Sequence, residues 1–198
     1  MKMKTGLIIL AAGGSSRMNG VPKQLLEFNG RSLLRRAAET SLSSSCRPVL
    51  VVLGASAEKM LPEIEDLPLI IEINVNWRQG MGSSIKTGLS KLLQDAPGIE
   101  AVLLMLTDQP LITAEIIDRL IDTHSASGLP ITASEYENTV GVPALFSRPM
   151  FDKLLALPDG AGAKSLMQKD PAKVKRMPVP EAALDIDLPE DHRLLLMR

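Results

Sequence analysis

Segments that read as strand and helix alternate four times before residue 128, which predicts an α/β fold with a mostly parallel sheet flanked by helices. Two observations carry this expectation. The runs "TGLIILAA" (5–12), "PVLVVLG" (48–54), "LIIEINV" (69–75) and "AVLLMLT" (101–107) are almost continuously aliphatic. A strand buried on both faces has this composition because neither side meets water. Beside the runs lie three segments whose apolar residues return at helical spacing, which gives each of them one face to set against the sheet.

The elements follow in order. A first helix is expected over 32–42, with Leu33, Leu34, Ala37, Ala38 and Leu42 near one face and Ser32 able to cap its start. A second is expected over 83–93 on Ile85, Leu89, Leu92 and Leu93, and a third over 113–124 on Ile116, Ile117, Leu120 and Ile121. Beyond residue 128 the alternation loosens. "LPITASEY" and "VGVPALFS" read as two strands joined by the turn Glu137-Asn138, a small antiparallel excursion in the C-terminal half. A helix near 149–157, a glycine-rich turn, a strand around 174–179 and a helix after Pro189 complete the chain. Neither an internal repeat nor a low-complexity linker interrupts it, so its 198 residues are expected to form one domain.

Composition narrows the function. Aromatic residues are only 3%, so the core must be built from Leu, Ile, Val, Ala and Met. The formal net charge of −1 comes without a basic stripe, which argues against a nucleic-acid partner. A single cysteine, Cys46, excludes an internal disulfide and fits a reducing compartment. The basic start MKMK precedes a short apolar run that passes directly into Gly-Gly-Ser-Ser-Arg, which reads as a strand feeding a loop. No segment reaches the ~20 apolar residues of a membrane span, and a cytoplasmic protein is expected. His124 and His192 lack metal-ligand spacing and are expected at the surface. A GxSxG elbow is absent, which gives no support to a hydrolase triad.

Ligands of open parallel sheets bind beyond the carboxyl ends of the strands. After the first strand come Gly13, Gly14, Ser15, Ser16 and Arg17, with Lys23 six residues on. Small residues let backbone amides approach phosphate oxygens, and the two cations supply countercharge. An ordinary turn has the same composition. After the third strand, Gly80 and Gly82 precede Ser83 and Ser84 at a helix start, where amides can take an anion or a serine can simply cap the helix. After the fourth, Asp108 ends an apolar strand before Pro110. A carboxylate facing a phosphate loop suits Mg2+, although a turn or helix cap leaves the same trace. Asp185 and Asp187, one residue apart, are candidates for a second metal carboxylate.

The order of these stretches resembles a known family. "LAAGGSSRMNGVPKQLL", "NWRQGMGSSIKTGL", "LLMLTDQPLIT", "GVPALFSRPMFDKLLAL", "DGAGAKSLM" and "DIDLPEDHRLLL" succeed one another as in the molybdenum cofactor nucleotidyltransferases, the MobA-like NTP transferases, and above all their cytidylyltransferase branch. The resemblance implies a Rossmann-like fold of the nucleotide-diphospho-sugar transferase type. It also implies Mg2+-dependent transfer of CMP from CTP to the phosphate of molybdopterin, with release of pyrophosphate. On it, residues 1–128 are mainly the nucleotide half and 129–198 mainly the acceptor half. Leu10, Ala11, Ala12, Gly13, Gly14, Ser15, Ser16, Arg17, Lys23, Gly80, Ser83, Ser84 and Thr107 are implied to hold the nucleotide. Arg17, Lys23 and Asp108 are implied to be catalytic, and Asp108 with Asp187 to hold the metal. Ala12 in "LAAG" favours CTP over GTP, and a molybdoenzyme receiving the product is an implied partner.

Departures fall mostly on the acceptor side. Asn19 stands where Gly is usual, Val142 where His is usual, and "DGAGAK" (159–164) where GDxGAR is usual. "VPKQLLEFNG" also resembles the cytidylyltransferase of isoprenoid synthesis, but "LTDQP" replaces the histidine-aspartate stretch expected there. Another NTP, another phosphate acceptor such as a sugar or alcohol phosphate, and a non-catalytic chaperone delivering the cofactor remain as alternatives.

Overall fold

The computed structural model describes residues 3–15, 21–186 and 188–197. Its strands are β1 (Thr5–Leu10), β2 (Glu27–Phe28), β3 (Arg31–Ser32), β4 (Val49–Leu53), β5 (Ile70–Ile73), β6 (Ala101–Leu106), β7 (Ile131–Tyr136), β8 (Thr139–Ser147) and β9 (Val174–Pro178). The helices are α1 (Leu33–Ser43), α2 (Ala57–Met60), α3 (Met81–Asp95), α4 (Ala114–Ser127), α5 (Phe151–Leu155), α6 (Lys164–Lys169) and α7 (Pro189–Leu196).

Seven strands form one sheet in the order β5-β4-β1-β6-β8-β7-β9, and β2 pairs with β3 in a separate small hairpin. The neighbours β5, β4, β1 and β6 are parallel. Only β8 runs against its neighbours β6 and β7, while β9 is again parallel to β7. The β7–β8 connection is the expected turn at Glu137 (φ 46°) and Asn138 (φ 62°). Two consecutive positive φ values match the right-handed twist of the strands that the turn joins.

Side chains alternate across the sheet, and both faces are covered. Leu7 and Ile9 of β1 pack with Leu34 and Ala38 of α1 and Ile117 and Leu120 of α4. Ile8 and Leu10 pack with Ile85, Leu89 and Leu92 of α3 on the other side. Gly88 lets α3 lie this close: a Cβ there would sit 2.7 Å from Val52 Cγ2 and 3.0 Å from Ile8 Cγ2. Among the described residues, no helix is long and apolar enough to cross a membrane.

Two expected helix starts hold. Ser32 Oγ accepts from Arg35 N at 3.1 Å, and Thr113 Oγ1 from Ile116 N at 3.4 Å. Helix α3 begins at Met81, two residues ahead of the expected Ser83, and no side chain caps it. Instead the amides of Gly82 and Ser83 donate to the carbonyl of Asp159, at 2.7 and 3.3 Å. The short elements β2, β3, α2 and α6 lie below the length at which a periodic pattern is readable.

The surface expectation is corrected for His124, whereas His192 stays at the surface, partly exposed. His124 is buried because the last turn of α4 lies against β7, where Nδ1 meets Thr132 Oγ1 at 3.0 Å. His192 is half-buried and donates from Nε2 to the carbonyl of Glu27 at 2.7 Å. Cys46 is buried too, and burial pushes its thiol up to about 12, which keeps it protonated and unreactive.

Burial also pulls the His124 pKa below its ordinary 6.5. The stabilising effect of the neutral ring is therefore complete above pH 6.5 and is lost as pH falls through the interval down to the folded value, where the unfolded chain takes the proton first. Thermal unfolding between pH 7 and pH 5 should show a falling midpoint for the wild type and a shallower fall for His124→Gln.

Candidate active site

The carboxyl ends of β1 and β6 lie side by side, with Leu10 paired to Leu106, and a cleft of about 320 Å³ opens beyond them. The loop after β1 contributes Ala12, Gly13 and Gly14, and the short helical turn after it Lys23 and Gln24. Trp77, Arg78, Gly80, Met81 and Ser84 come from the approach to α3 and its first turn. Leu10, Leu106, Thr107 and Asp108 close the strand side. The volume suits a small ligand.

The loop after β1 is braced from beneath. Gln24 is buried, and its Nε2 donates to the carbonyls of Ala11 (3.1 Å) and Gly13 (3.0 Å). Its Oε1 accepts from Ser15 Oγ at 3.1 Å, and Ser15 Oγ accepts from the Lys23 amide at 2.9 Å. One side chain thus satisfies polar groups that a tight loop cannot pair for itself. Gly54 and Gly14 keep the loop near Trp77. A Cβ on Gly54 would come within 2.8 Å of the Ala12 carbonyl, and one on Gly14 within 3.0 Å of the indole. The Arg78 guanidinium lies over that indole, 4.6 Å from its centroid.

Lys23 Nζ and Asp108 Oδ2 form an ion pair across the cleft. Asp108 is only 6% exposed, yet its Oδ1 has no hydrogen-bond partner among the described residues. A buried carboxylate oxygen left open is costly unless a cation or a donor arrives, and the chemistry of this donor fits a hard divalent cation. Behind it, Gln109 Nε2 donates to the carbonyls of Val142 (3.1 Å) and Ala182 (2.9 Å), which ties the C-terminal half to the end of β6. The Ile186 amide donates to the Asp108 carbonyl at 3.0 Å, so the 184–186 stretch runs beside Asp108. Tyr136 stands over Gly141, where a Cβ would lie 2.2 Å from its hydroxyl. Burial, with the carboxylates of Asp185 and Asp108 nearby, pushes the phenol's pKa up and keeps it a donor.

Of the residues singled out in the sequence, Leu10, Ala12, Gly13, Gly14, Lys23, Gly80, Ser84, Thr107 and Asp108 line the cleft. Ala11 turns to the opposite face of the sheet, and Ser15 acts as a brace. Ser83 is a correction: its hydroxyl donates to the carbonyls of Asn76 and Gly80, turned into its own loop. The open helix terminus is corrected as well, since the Asp159 carbonyl takes the Gly82 and Ser83 amides. The turn has no space to spare there, because a Cβ on Gly82 would lie 2.2 Å from the Pro158 carbonyl. Ser16, Arg17 and Asp187 lie outside the described residues. Gln24, Trp77, Arg78, Met81 and Leu106 were not singled out beforehand. Trp77, the single tryptophan of the chain, was the one with a visible signal.

Residues 7–174 match the MobA-like NTP transferase domain. The chain belongs to that family. Over 117 residues, 59% of its length, it is 37% identical to the nicotine blue oxidoreductase of Paenarthrobacter nicotinovorans, and the match spans 55% of that relative. The chain thus covers about half the length of this relative. A solved structure of the Mycobacterium tuberculosis Rv0371c homologue from Mycobacterium sp. strain JC1 is 32% identical, with a TM-score of 0.83 over 100% of this chain and 97% of that one. The structure of M. tuberculosis Rv0371c in complex with manganese is 25% identical, with a TM-score of 0.78 over 98% of this chain and 99% of that one.

Because Gln24 serves two carbonyls and a hydroxyl at once, Gln24→Leu should cost about 1–3 kcal/mol, the penalty for stranding buried polar groups. Chemical denaturation measures the loss. Gln24→Glu, which keeps the acceptor for Ser15 but sets a buried carboxylate oxygen against the Ala11 and Gly13 carbonyls, should lose at least as much.

Proposed function

We propose that this transferase moves CMP from CTP to the phosphate of a molybdopterin-type acceptor. The observation that carries the reading is the Lys23–Asp108 pair, with an open carboxylate oxygen, facing the glycine loop at the end of β1. Family membership and the order of the motifs support the acceptor, and Ala12 supports cytosine.

In this reading an oxygen of the acceptor phosphate attacks the α-phosphorus of CTP. A new P–O–P bond forms, the α–β bridge breaks and pyrophosphate leaves. The nucleophile is already ionised at neutral pH, so the chain needs no general base. What opposes the reaction is repulsion between two anions, and catalysis is positioning and charge stabilisation. Lys23 turns from Asp108 to the triphosphate, and the resemblance assigns Arg17 the same countercharge role. The braced loop offers fixed amides that need no rearrangement as charge moves. Asp108 and Asp187 are the residues that would hold Mg2+, with the manganese-bound structural relative supporting a divalent cation. When bound, such an ion supplies positive charge to the phosphates. The C-terminal half, with Tyr136 and the 158–164 turn, would receive the acceptor, and a molybdoenzyme the product.

An oxidoreductase is the second reading, supported by the 37% identical relative and by the apolar wall of Leu10, Trp77, Met81 and Leu106, which suits a flat ring. Hydride transfer has no use for a Lys–Asp pair facing a glycine loop, so nucleotide transfer is favoured. Reduction of a ring substrate by a nicotinamide dinucleotide, without any triphosphate, would reverse that order.

Thermal unfolding with CTP, GTP, ATP and UTP, each with and without Mg2+, tests the reading directly. A ligand at 100 times its Kd adds about 2.7 kcal/mol, and CTP with Mg2+ should give the largest shift. A GTP-led shift would move the chain to guanylyl transfer. No shift with any nucleotide would remove the reading.

Two substitutions sharpen it. Asp108→Asn should lower turnover by roughly 10²–10³, the effect of losing one preorganised electrostatic contact, and leave the unfolding midpoint near wild type. Lys23→Met should weaken CTP binding but tighten Mn2+ alone, because it frees the Asp108 carboxylate from its internal counter-ion. Electron paramagnetic resonance of free Mn2+ reads the second effect, and unchanged or weaker Mn2+ binding would refute it.

A further inference from the structure

Asn74 lies one residue past β5, is 2% exposed, and has a hydrogen-bond network that determines which way its amide faces. Its Oδ1 accepts from the Asn76 amide at 2.9 Å. A backbone N–H only donates, so the oxygen of the side chain must face it. Nδ2 is thereby turned to Ser83 Oγ at 2.8 Å and Ser84 Oγ at 3.0 Å, and both hydroxyl oxygens accept. Ser83 places its own proton on the carbonyls of Asn76 (3.2 Å) and Gly80 (2.8 Å). Ser84 has no such outlet: among the described residues nothing accepts from it, and it lines the cleft. With a lone pair committed to Asn74, its O–H is directed away from that side.

We infer that Asn74 is a positioning residue, holding the Ser84 hydroxyl as a donor into the cleft for a ligand edge that presents acceptors, as N3 and O2 of cytosine do. Guanine offers N–H groups on N1 and N2 along its comparable edge, so a fixed donor meets donors there. A site built around one hydrogen-bond polarity rejects a ligand of the other more strongly than a merely apolar wall does. The inference rests on the nucleotide-transfer reading and explains how the protein portion of the cleft selects a base.

Asn74→Asp is the decisive substitution. It keeps the acceptor for the Asn76 amide but replaces the donor, so both serines must turn their protons towards residue 74. Titration calorimetry with CTP and with GTP, in Mg2+, is run on the full chain as wild type, Asn74→Asp, Ser84→Ala and the double variant. Asn74→Asp and Ser84→Ala should each weaken CTP about tenfold, the scale of one hydrogen bond, with GTP changed far less. In the Ser84→Ala background, Asn74→Asp should add less than twofold, because it acts through Ser84. Equal weakening in both backgrounds, or no weakening at all, overturns the inference. If Asn74→Asp does not fold, Ser84→Ala still decides: a loss selective for CTP supports the inference and equal loss of CTP and GTP refutes it. A wild-type chain that binds neither nucleotide removes the transfer reading and this inference together. CTP binding that survives all the substitutions removes the inference alone.

Discussion

The in-register parallel pairing of β1 with β6 is the constraint from which the cleft follows. Leu10 stands opposite Leu106, so both strands leave the sheet at the same level and their loops face each other. That is why a glycine loop and a carboxylate nearly 100 residues apart in sequence meet, Lys23 with Asp108, at a separation of 85 positions. Register in such a sheet is hard to shift. Moving β1 by one residue would exchange Leu7 and Ile9 with Ile8 and Leu10, and both faces are filled by helices that fit the present arrangement.

Burial at the end of this sheet makes the polar chemistry expensive, and the chain responds with side chains that satisfy several groups each. Gln24 closes the loop after β1, Gln109 joins β6 to β8 and to the 180–183 turn, and Asn74 joins the end of β5 to the start of α3. All three are neutral amides, which can donate and accept at once without the desolvation cost of a charge. Asp108 is the charged exception: its Oδ1, like the neutral Gln109 Oε1, is buried without a hydrogen-bond partner among the described residues, and of the two only the carboxylate oxygen carries charge for a cation. An unsatisfied buried acceptor is a cost to folding and an invitation to binding.

Trp77 and the 158–161 turn show the cleft borrowing from distant parts of the chain. The Asp159 carbonyl takes the first amides of α3, and Lys86 pairs with the Asp159 side chain, so the C-terminal half clamps a helix of the N-terminal half. Gly80, at φ 120°, and Gly82 let that clamp close. The glycines after the third strand therefore serve chain packing here, and the anion-cradle reading of the same residues gives way to it.

Local sequence determined the elements whose cause is local. The four aliphatic runs became the parallel strands, three of them buried on both faces as their composition implies. The run at 69–75 became the edge strand β5 instead, with Ile73 51% exposed, because its place in the sheet order is set by the whole fold. Ser32 and Thr113 capped α1 and α4 because a hydroxyl beside its own helix needs no distant partner. Glu137-Asn138 made its turn for the same reason. That Asp108 and the residues Ala12, Gly13 and Gly14 would lie at one cleft was legible because residues after parallel strands point to one edge, whatever the rest of the chain does. The tertiary structure alone decided the rest. Whether His124 is buried depends on β7, and where the α3 amides go depends on Asp159. Which way the Ser84 hydroxyl points depends on an asparagine ten residues earlier. A hydrogen bond is specified by a partner's position and direction, and a residue's letter carries neither.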